Sequence, residues 1–343
     1  MKRPTFSLRR LLTIVLSAAC LTACQKEIAS DALANAKLTT TNSIIVGLPP
    51  VLSAWTGMTG PPYSDGVSGD WVSENQYVRG FSINGIGFTL GTLITSGKWE
   101  LNYPCYDLWQ CDPTNRAWIK KAPYPGNPIN LEFGASFVIG DNAYVISVDN
   151  HVYRYNQPGN RWTEAAPIPS GIRRLNAACF AINGHGYFGM GENDGPGTFL
   201  NDWYQYDPVA NRWTALRNFP GTKREGAASF AVDSKGYVVG GRTAGGYVPG
   251  VWQYTPSSDH WTELKDFPGS GNNIYMPATA AGTIGGVDVG FVAAGQAWQY
   301  NPAQDSWFQL TGYHGSGNAP GGFVIGHAFY VCSLNASIYS WSR

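Results

Sequence analysis

Residues 237–261 read YVVGGRTAGGYVPGVWQYTPSSDHW, and this stretch decides the fold. It begins with a short apolar segment that ends in the pair Gly240-Gly241. A second short segment, Trp252-Gln253-Tyr254, follows after a loop, and Trp261 comes seven residues after Tyr254. Short apolar runs rich in β-branched and aromatic residues, separated by Gly and Pro, are typical of β-strands.

The pattern recurs along the chain. Five tryptophans each follow the third residue of an aromatic segment by seven positions, at steps of 44 to 51 residues: Trp118, Trp162, Trp213, Trp261 and Trp307. An apolar block precedes each of them, most clearly Gly226 to Gly241, with looser copies that start at Tyr77, Phe133, Asn176 and Pro277. A fixed period of this length indicates a repeat architecture in which each unit is one small sheet.

The motif of paired glycines, Tyr254 and Trp261 resembles the kelch repeat, and the resemblance covers about residues 50–343. It is weaker where Cys111 replaces the tyrosine and where Gly189-Met190-Gly191 replaces the glycine pair. The resemblance implies an all-β fold, a kelch β-propeller whose blades each have four strands, a to d. We interpret the repeated Tyr and Trp as packing residues and not as site residues.

The two ends of the repeat region complement each other. A sixth block, from Phe323 to Trp341, supplies strands a to c but no following Trp. Near the other end, Leu52-Ser53-Ala54-Trp55 has the pattern of a strand d with nothing before it. We therefore predict a six-bladed propeller in which the N-terminal strand completes the last blade, which removes an open sheet edge.

The first residues have the features of an export signal. Lys2, Arg3, Arg9 and Arg10 precede the apolar run Leu11–Ala19, and Leu21-Thr22-Ala23-Cys24 resembles a lipobox. We predict a lipoprotein signal peptide at 1–23, a flexible tether at 24–48 and the propeller at 49–343. Lipid on Cys24 would be the sole membrane attachment. Cys24-Gln25-Lys26-Glu27 resembles the export signal of surface lipoproteins in Bacteroidetes, so we expect an outer-membrane location, on the periplasmic or the outer face.

Charge excludes one class of partner. The chain has 23 basic and 23 acidic residues, and only 13% of its residues are charged. Because a nucleic-acid binder shows a clustered basic face, we expect none here. We expect a monomer.

Strand parity places the d-to-a and b-to-c loops on one face of a propeller, and these are the loops that vary in length. Trp71 and Trp99 lie in two such insertions, outside the repeat pattern. They either stack on a sugar or a partner protein, or pack down onto their own blade. Variable loops on a rigid scaffold commonly carry function.

Charged residues recur where strand a begins. Glu132 and Glu225 occupy one equivalent position, Arg174 and Arg224 the preceding one, and Arg173 and Tyr275 lie nearby. Arginine with glutamate around a channel suits an anionic or polyhydroxyl ligand, because a guanidinium forks to a carboxylate. The alternative is a set of solvated rim charges or ion pairs between blades.

This arrangement loosely resembles the sialic-acid mutarotases (N-acetylneuraminate epimerases), kelch propellers with acidic and basic channel residues. The resemblance implies proton transfer by Glu132 or Glu225 and carboxylate binding by Arg174 or Arg224. Galactose oxidase also has kelch repeats, and Tyr313-His314 is superficially similar to its adjacent Tyr-His pair. The five histidines are scattered, however, so we expect no copper or other metal site and no cofactor.

Cys105 and Cys111 lie close in sequence, and export permits oxidation, so a disulfide between them is a hypothesis. The leading functional interpretation is a binding module for a carbohydrate or a protein. The second is a sugar-modifying enzyme of the mutarotase kind.

Overall fold

The computed structural model describes residues 56–59, 74–76, 79–91, 93–95, 102–104, 107–112, 117–131, 133–193, 197–269, 274–313, 321–332 and 337–342. The chain divides into two units, Met1–Val51 and Leu52–Arg343, and every described residue belongs to the second. The predicted signal peptide, the tether and Cys24 lie outside the described residues. None of the helices in the described part is long and apolar enough to cross a bilayer.

The described residues form six four-stranded antiparallel sheets, numbered here 1 to 6 along the chain. The strands of each sheet are called a to d from the innermost outward. Sheets 1 to 3 consist of Arg79–Ile83, Ile86–Leu90, Leu108–Asp112 and Ala117–Lys120; Ala135–Ile139, Asn142–Ile146, Val152–Asn156 and Arg161–Ala165; and Ala178–Ile182, His185–Gly189, Trp203–Asp207 and Arg212–Ala215. Sheets 4 to 6 consist of Ala228–Val232, Lys235–Val239, Val251–Thr255 and His260–Glu263; Ala278–Ile284, Val287–Ala294, Gln296–Asn301 and Ser306–Leu310; and Gly321–Ile325, Ala328–Cys332, Ser337–Ser342 and Thr56–Thr59.

Smaller elements lie in the connecting loops. Three short sheets pair Glu74–Gln76, Leu93–Thr95 and Asn102–Pro104; Arg174–Leu175 and Glu192–Asn193; and Arg242–Thr243 and Gly246–Tyr247. Two turns of 3-10 helix occur at Pro128–Leu131 and Pro256–Ser258.

The innermost strands of the six sheets form a closed ring. Strand a of each sheet lies against strand a of the next, and strand a of sheet 6 lies against strand a of sheet 1. This radial arrangement of small antiparallel sheets around a channel is that of a β-propeller, which confirms the predicted all-β fold.

The last sheet joins the two ends of the described chain. Thr56–Thr59 pairs antiparallel with Ser337–Ser340, with Thr56 opposite Ser340. The N-terminal strand therefore completes sheet 6, in agreement with the sequence pattern. Trp55, on which that prediction depended, lies outside the described residues, and the strand begins one residue after it.

A phenylalanine in strand a fixes the packing of one sheet on the next. The third residue of strand a is Phe137, Phe180 and Phe230 in sheets 2, 3 and 4. A Cβ added to Gly236 of sheet 4 would lie 2.1 Å from the Phe180 ring, and Gly186 and Gly290 face Phe137 and Phe230 in the same way. Glycine in strand b is thus required for close approach of a neighbouring ring.

The repeated Tyr and Trp are tied to a turn between strands c and d. Tyr206 donates to Asn211 at 2.7 Å, and Asn211 also accepts from the backbone N–H of Ala166 in the preceding sheet at 2.8 Å. The Trp213 indole N–H donates to the Ala166 carbonyl at 2.9 Å. The motif therefore joins sheet 3 to sheet 2 by hydrogen bonds as well as by aromatic packing.

Candidate binding site at the mouth of the channel

A belt of backbone hydrogen bonds surrounds one end of the channel. The N–H of Asn176 donates to Phe133, that of Gly226 to Asn176 and that of Met276 to Gly226, each at 2.9 Å. Asn176, Gly226 and Met276 all have left-handed backbone, with φ of 51°, 62° and 46°. This shared turn, directly before strand a, brings the side chains of the preceding residues together at the channel mouth.

The channel itself is a cavity of about 350 Å³ lined by strand a of all six sheets. Small residues such as Ser136, Cys179 and Ser229 dominate its wall, and Arg79 supplies a guanidinium. Burial lowers the pKa of Arg79 to about 10 and raises that of the Cys179 thiol to about 11. Both groups are therefore held in a poorly solvated interior.

Glu225 lies at the mouth, on the link into sheet 4, and is 1% exposed. Its carboxylate accepts from Arg242 Nε at 2.7 Å and also from Arg242 Nη2. The other oxygen accepts from Asn176 Nδ2 at 2.9 Å, and the Tyr275 hydroxyl lies 3.4 Å from the first. Four donor atoms from three side chains thus converge on one carboxylate.

Arg242 is the exposed part of this cluster, with 40% of its side chain accessible. It bridges Glu225 and Glu192, whose carboxylate lies 3.1 Å from Nη2. Its guanidinium lies 5.5 Å from the Phe199 ring centre and 5.8 Å from that of Tyr275. The hydrogen bond with Glu225 raises the pKa of Arg242, and burial raises that of Tyr275 to about 12, so both stay protonated near neutral pH.

An aromatic surface adjoins the arginine. Tyr247 is 45% exposed and packs edge-on against Tyr275, with ring centres 5.9 Å apart. We call Arg242, Glu225, Glu192, Tyr275 and Tyr247 the mouth cluster. It combines a fixed donor, carboxylate acceptors and exposed ring surface, which are the groups that recognise polyhydroxyl ligands.

Arg174 does not reach this cluster. It is buried, and its guanidinium makes a two-pronged ion pair with Asp202, both contacts being 2.6 Å, and a third bond to the Met190 carbonyl at 2.6 Å. The charge of Arg174 is therefore paired inside the protein, with a carboxylate of the same sheet and not of a neighbouring blade.

Arg224 is also buried, 3% exposed, and stacks on the Phe219 ring at 5.0 Å. Its Nε donates to the Thr222 carbonyl and its Nη1 to the Gly240 carbonyl, both at 3.0 Å. Burial lowers its pKa to about 10. Arg174 and Arg224 therefore occupy equivalent places, as the repeat indicates, but only Arg174 is paired with a carboxylate in the described part of the chain.

Several predicted site residues lie outside the described residues, namely Trp71, Trp99, Glu132 and Cys105. Arg173 is exposed on the link into sheet 3. Cys111 is buried in strand c of sheet 1, and burial raises its pKa to about 11. Its pairing with Cys105 stays a prediction. In the described segments no three metal-ligating side chains come together.

Sequence reasoning missed Arg242 and Glu192. Each directly follows a glycine that lies two residues beyond strand b: Arg242 follows Gly241, and Glu192 follows Gly191. That position pairs with the residue before the left-handed turn, as in Glu225 with Arg242 and Leu175 with Glu192. A search of the residue that follows Gly191 and Gly241 would have found both.

Comparisons with known proteins agree with this architecture. The solved structure of YjhT superposes with a TM-score of 0.58 at 13% identity, over 79% of this chain and 93% of that one, which shows a shared fold. A family model described as Kelch motif matches residues 223–268, which contain the whole of sheet 4. This chain is a β-propeller, and its residues 223–268 match the Kelch motif.

Three curated proteins resemble part of this chain. The N-acetylneuraminate epimerase of Pasteurella multocida is 33% identical over 126 residues, 34% of this chain and 33% of that protein. The same enzyme of Haemophilus influenzae strain PittEE is 30% identical over 125 residues, 34% of this chain and 33% of that protein. The Kelch-like protein terF of Aspergillus terreus is 30% identical over 122 residues, 31% of this chain and 26% of that protein. Each match thus spans a third or less of the relative's length.

Proposed function

We propose that this chain is an exported, lipid-anchored propeller that binds a carbohydrate at the mouth cluster. The observation that carries the proposal is Arg242, an accessible guanidinium held between two carboxylates and two aromatic rings. An arginine fixed in this way donates to a ligand without losing side-chain freedom on binding.

The charge of the mouth cluster favours a neutral polyhydroxyl ligand. Arg242 brings one positive charge, while Glu192 and Glu225 bring two negative ones. A sugar hydroxyl can donate to Glu192 and accept from Arg242, because a hydroxyl has both capacities. The exposed ring of Tyr247 offers an apolar surface for the C–H face of a pyranose.

The test is a saturation-transfer NMR screen of neutral mono- and oligosaccharides against the full chain. We expect at least one saturable ligand, with affinity lowered about tenfold in Tyr247→Ala, since a stacked aromatic contributes on the order of 1–2 kcal/mol. Phe308→Ala is the matched control, because Phe308 is exposed on the outermost strand of sheet 5. Equal binding by both variants, or no saturable sugar, would contradict the proposal.

A second candidate is a sugar-modifying enzyme. The matches to N-acetylneuraminate epimerases support it, and Glu225 is its candidate acid or base. Such a group must reach the sugar and exchange a proton with it. Against this, the Glu225 carboxylate is 1% exposed and engaged by Arg242 and Asn176.

Enzyme and binding module are distinguished by NMR of freshly dissolved N-acetylneuraminate anomers. The enzymatic hypothesis requires faster interconversion with protein present, reduced at least a hundredfold in Glu225→Gln. If the anomers interconvert at the uncatalysed rate with protein present, and the sugar screen finds saturable binding, the result would support the binding module.

A further inference from the structure

Sheets 3 and 4 each have an arginine at the same repeat position, but the surroundings of the two arginines differ. Arg174 bonds to the carbonyl that ends strand b of sheet 3, and Arg224 bonds to the equivalent carbonyl in sheet 4. The N–H of that same residue donates at 3.0 Å to Asp202 in sheet 3 and to Gly250 in sheet 4. Gly250 therefore stands where sheet 3 has Asp202.

This replacement removes a carboxylate and leaves room for a side-chain atom beside the guanidinium. A Cβ built on Gly250 would lie 3.7 Å from Arg224 Nη1 and 3.9 Å from Nη2, at ordinary contact distance. The same point lies 3.4 Å from the indole nitrogen of Trp252. We call the space bordered by Arg224, Gly250 and Trp252 the Gly250 niche.

Two donor groups face the niche, Arg224 Nη2 and the Trp252 indole N–H, and neither has an acceptor in the described part of the chain. The Trp252 indole N–H is buried with no hydrogen-bond partner there. Among the residues that the structure describes, Arg224 bonds to two backbone carbonyls, through Nε and Nη1, and its Nη2 makes no bond. Glu263, whose charge acts on Arg224, is exposed and forms no ion pair with it among these residues. A buried guanidinium without a counter-ion is costly, which favours any anion that can enter.

Sheets 3 and 5 show which residues occupy the same position elsewhere in the ring. In sheet 3 the partner of the arginine is a carboxylate with two oxygens at 2.6 Å, and Tyr204 occupies the place of Trp252 beside it. In sheet 5 the arginine is replaced by Ile274, whose carbonyl accepts from Gly241 as that of Arg224 accepts from Gly191. Sheet 4 alone of these three keeps the cation and lacks the anion.

We propose that the Gly250 niche binds the carboxylate group of a small organic acid, which takes the place that the Asp202 side chain has in sheet 3. The guanidinium of Arg224 and the indole N–H of Trp252 donate to its two oxygens. Gly250 leaves room for the incoming group, and the Phe219 ring supports the guanidinium from below. The niche is separate from the mouth cluster, so the inference does not depend on the proposed carbohydrate function.

Acetate is the probe, because it is a carboxylate of the same size as the end of an aspartate side chain. We expect sodium acetate to raise the midpoint of thermal unfolding of the full chain by about 2 °C more than sodium chloride of equal ionic strength. Acetate should also shift the indole N–H resonance of Trp252, which is assigned by its loss in Trp252→Phe.

Gly250→Asp is the decisive variant, since it supplies the carboxylate from within the chain. It should raise the unfolding midpoint in chloride and abolish both effects of acetate. Gly250→Asn is the matched control, because it has the same shape without the charge and should not raise the midpoint. An acetate effect that survives in Gly250→Asp, or acetate and chloride acting equally on the wild type, would overturn the proposal.

Discussion

Single side chains hold neighbouring sheets together through the turn between strands c and d. The Tyr254 hydroxyl donates to Asp259 Oδ1 at 2.9 Å, and Asp259 Oδ2 accepts from the backbone N–H of Arg217 in the preceding sheet at 3.0 Å. Asp259 has a left-handed backbone, with φ of 46°, as do Asn211 and Asp305 at the equivalent turns. A short polar residue is therefore required at this turn for two reasons: it tolerates the left-handed conformation, and its oxygens accept the hydrogen bonds.

Tyr254→Phe tests this tie. It keeps the ring packing and removes one buried hydrogen bond, so we expect the free energy of unfolding to fall by about 1 kcal/mol. Chemical denaturation measures the change, and Tyr247→Phe, at an exposed tyrosine, should alter it by less than about 0.5 kcal/mol. Equal effects of the two variants would show that the bond to Asp259 contributes nothing.

Loss of the ion pair between Arg174 and Asp202 in sheet 3 should lower the free energy of unfolding by more. Asp202→Ala leaves the Arg174 guanidinium buried without its counter-ion, and we expect a loss of about 3–5 kcal/mol in the free energy of unfolding. Asp266→Ala, which removes an exposed carboxylate, serves as the control and should change it little. A small effect of Asp202→Ala would mean that water replaces the carboxylate.

The sequence predicts part of this residue-scale detail. The spacing of Tyr254 and Trp261 identifies them as packing residues, and the repeat places Arg174 and Arg224 at one position. The position beside each arginine is held by a residue just before strand c, Asp202 in sheet 3 and Gly250 in sheet 4, and its separation in sequence from the arginine differs between the two sheets. Sequence alone could not therefore distinguish a paired arginine from one that lacks a carboxylate.

At the scale of strands, small residues in strand b set the distance between sheets. Gly186, Gly236 and Gly290 each receive the phenylalanine of the preceding sheet's strand a. The repeat makes the recurrence of glycine visible in the sequence. It does not reveal the neighbour, because the ring that touches each glycine lies some fifty residues earlier, in another sheet.

Gly236→Ala should destabilise the propeller by about 1–3 kcal/mol, because its new methyl group would overlap the Phe180 ring. Gly245→Ala is the matched control. Its methyl group would meet only the Thr243 hydroxyl oxygen at 3.8 Å, so thermal unfolding of this variant should match the wild type. An equal loss in both would trace the effect to backbone conformation.

For the whole molecule, the ring is completed by a strand from the other end of the chain. Removing residues 1–59 takes away Thr56–Thr59 and leaves Ser337–Ser342 as an unpaired edge. We expect this truncation to lower the unfolding midpoint and to promote aggregation, since an exposed edge pairs with other chains. A chain that starts at Leu52 keeps the strand and is the control. Identical melting of the two would contradict a structural role for the strand.

The prediction of this closure from Leu52–Trp55 and Trp341 depended only on counting repeat positions, which is why it could be made from the sequence. Part of the candidate site is harder to predict, because Tyr247 comes from a loop that does not follow the repeat. Trp71 and Trp99 also lie outside the repeat pattern in the sequence, so the repeat does not place them.

Sheet 6 also constrains the order of events during biosynthesis. Its strands come from residues 56–59 and 321–342, so the ring cannot close until residues 321–342 have left the ribosome. Until then the strand Thr56–Thr59 lacks the strand with which it pairs. Pairing across nearly three hundred residues is slow, because distant segments must meet before they gain any contact energy.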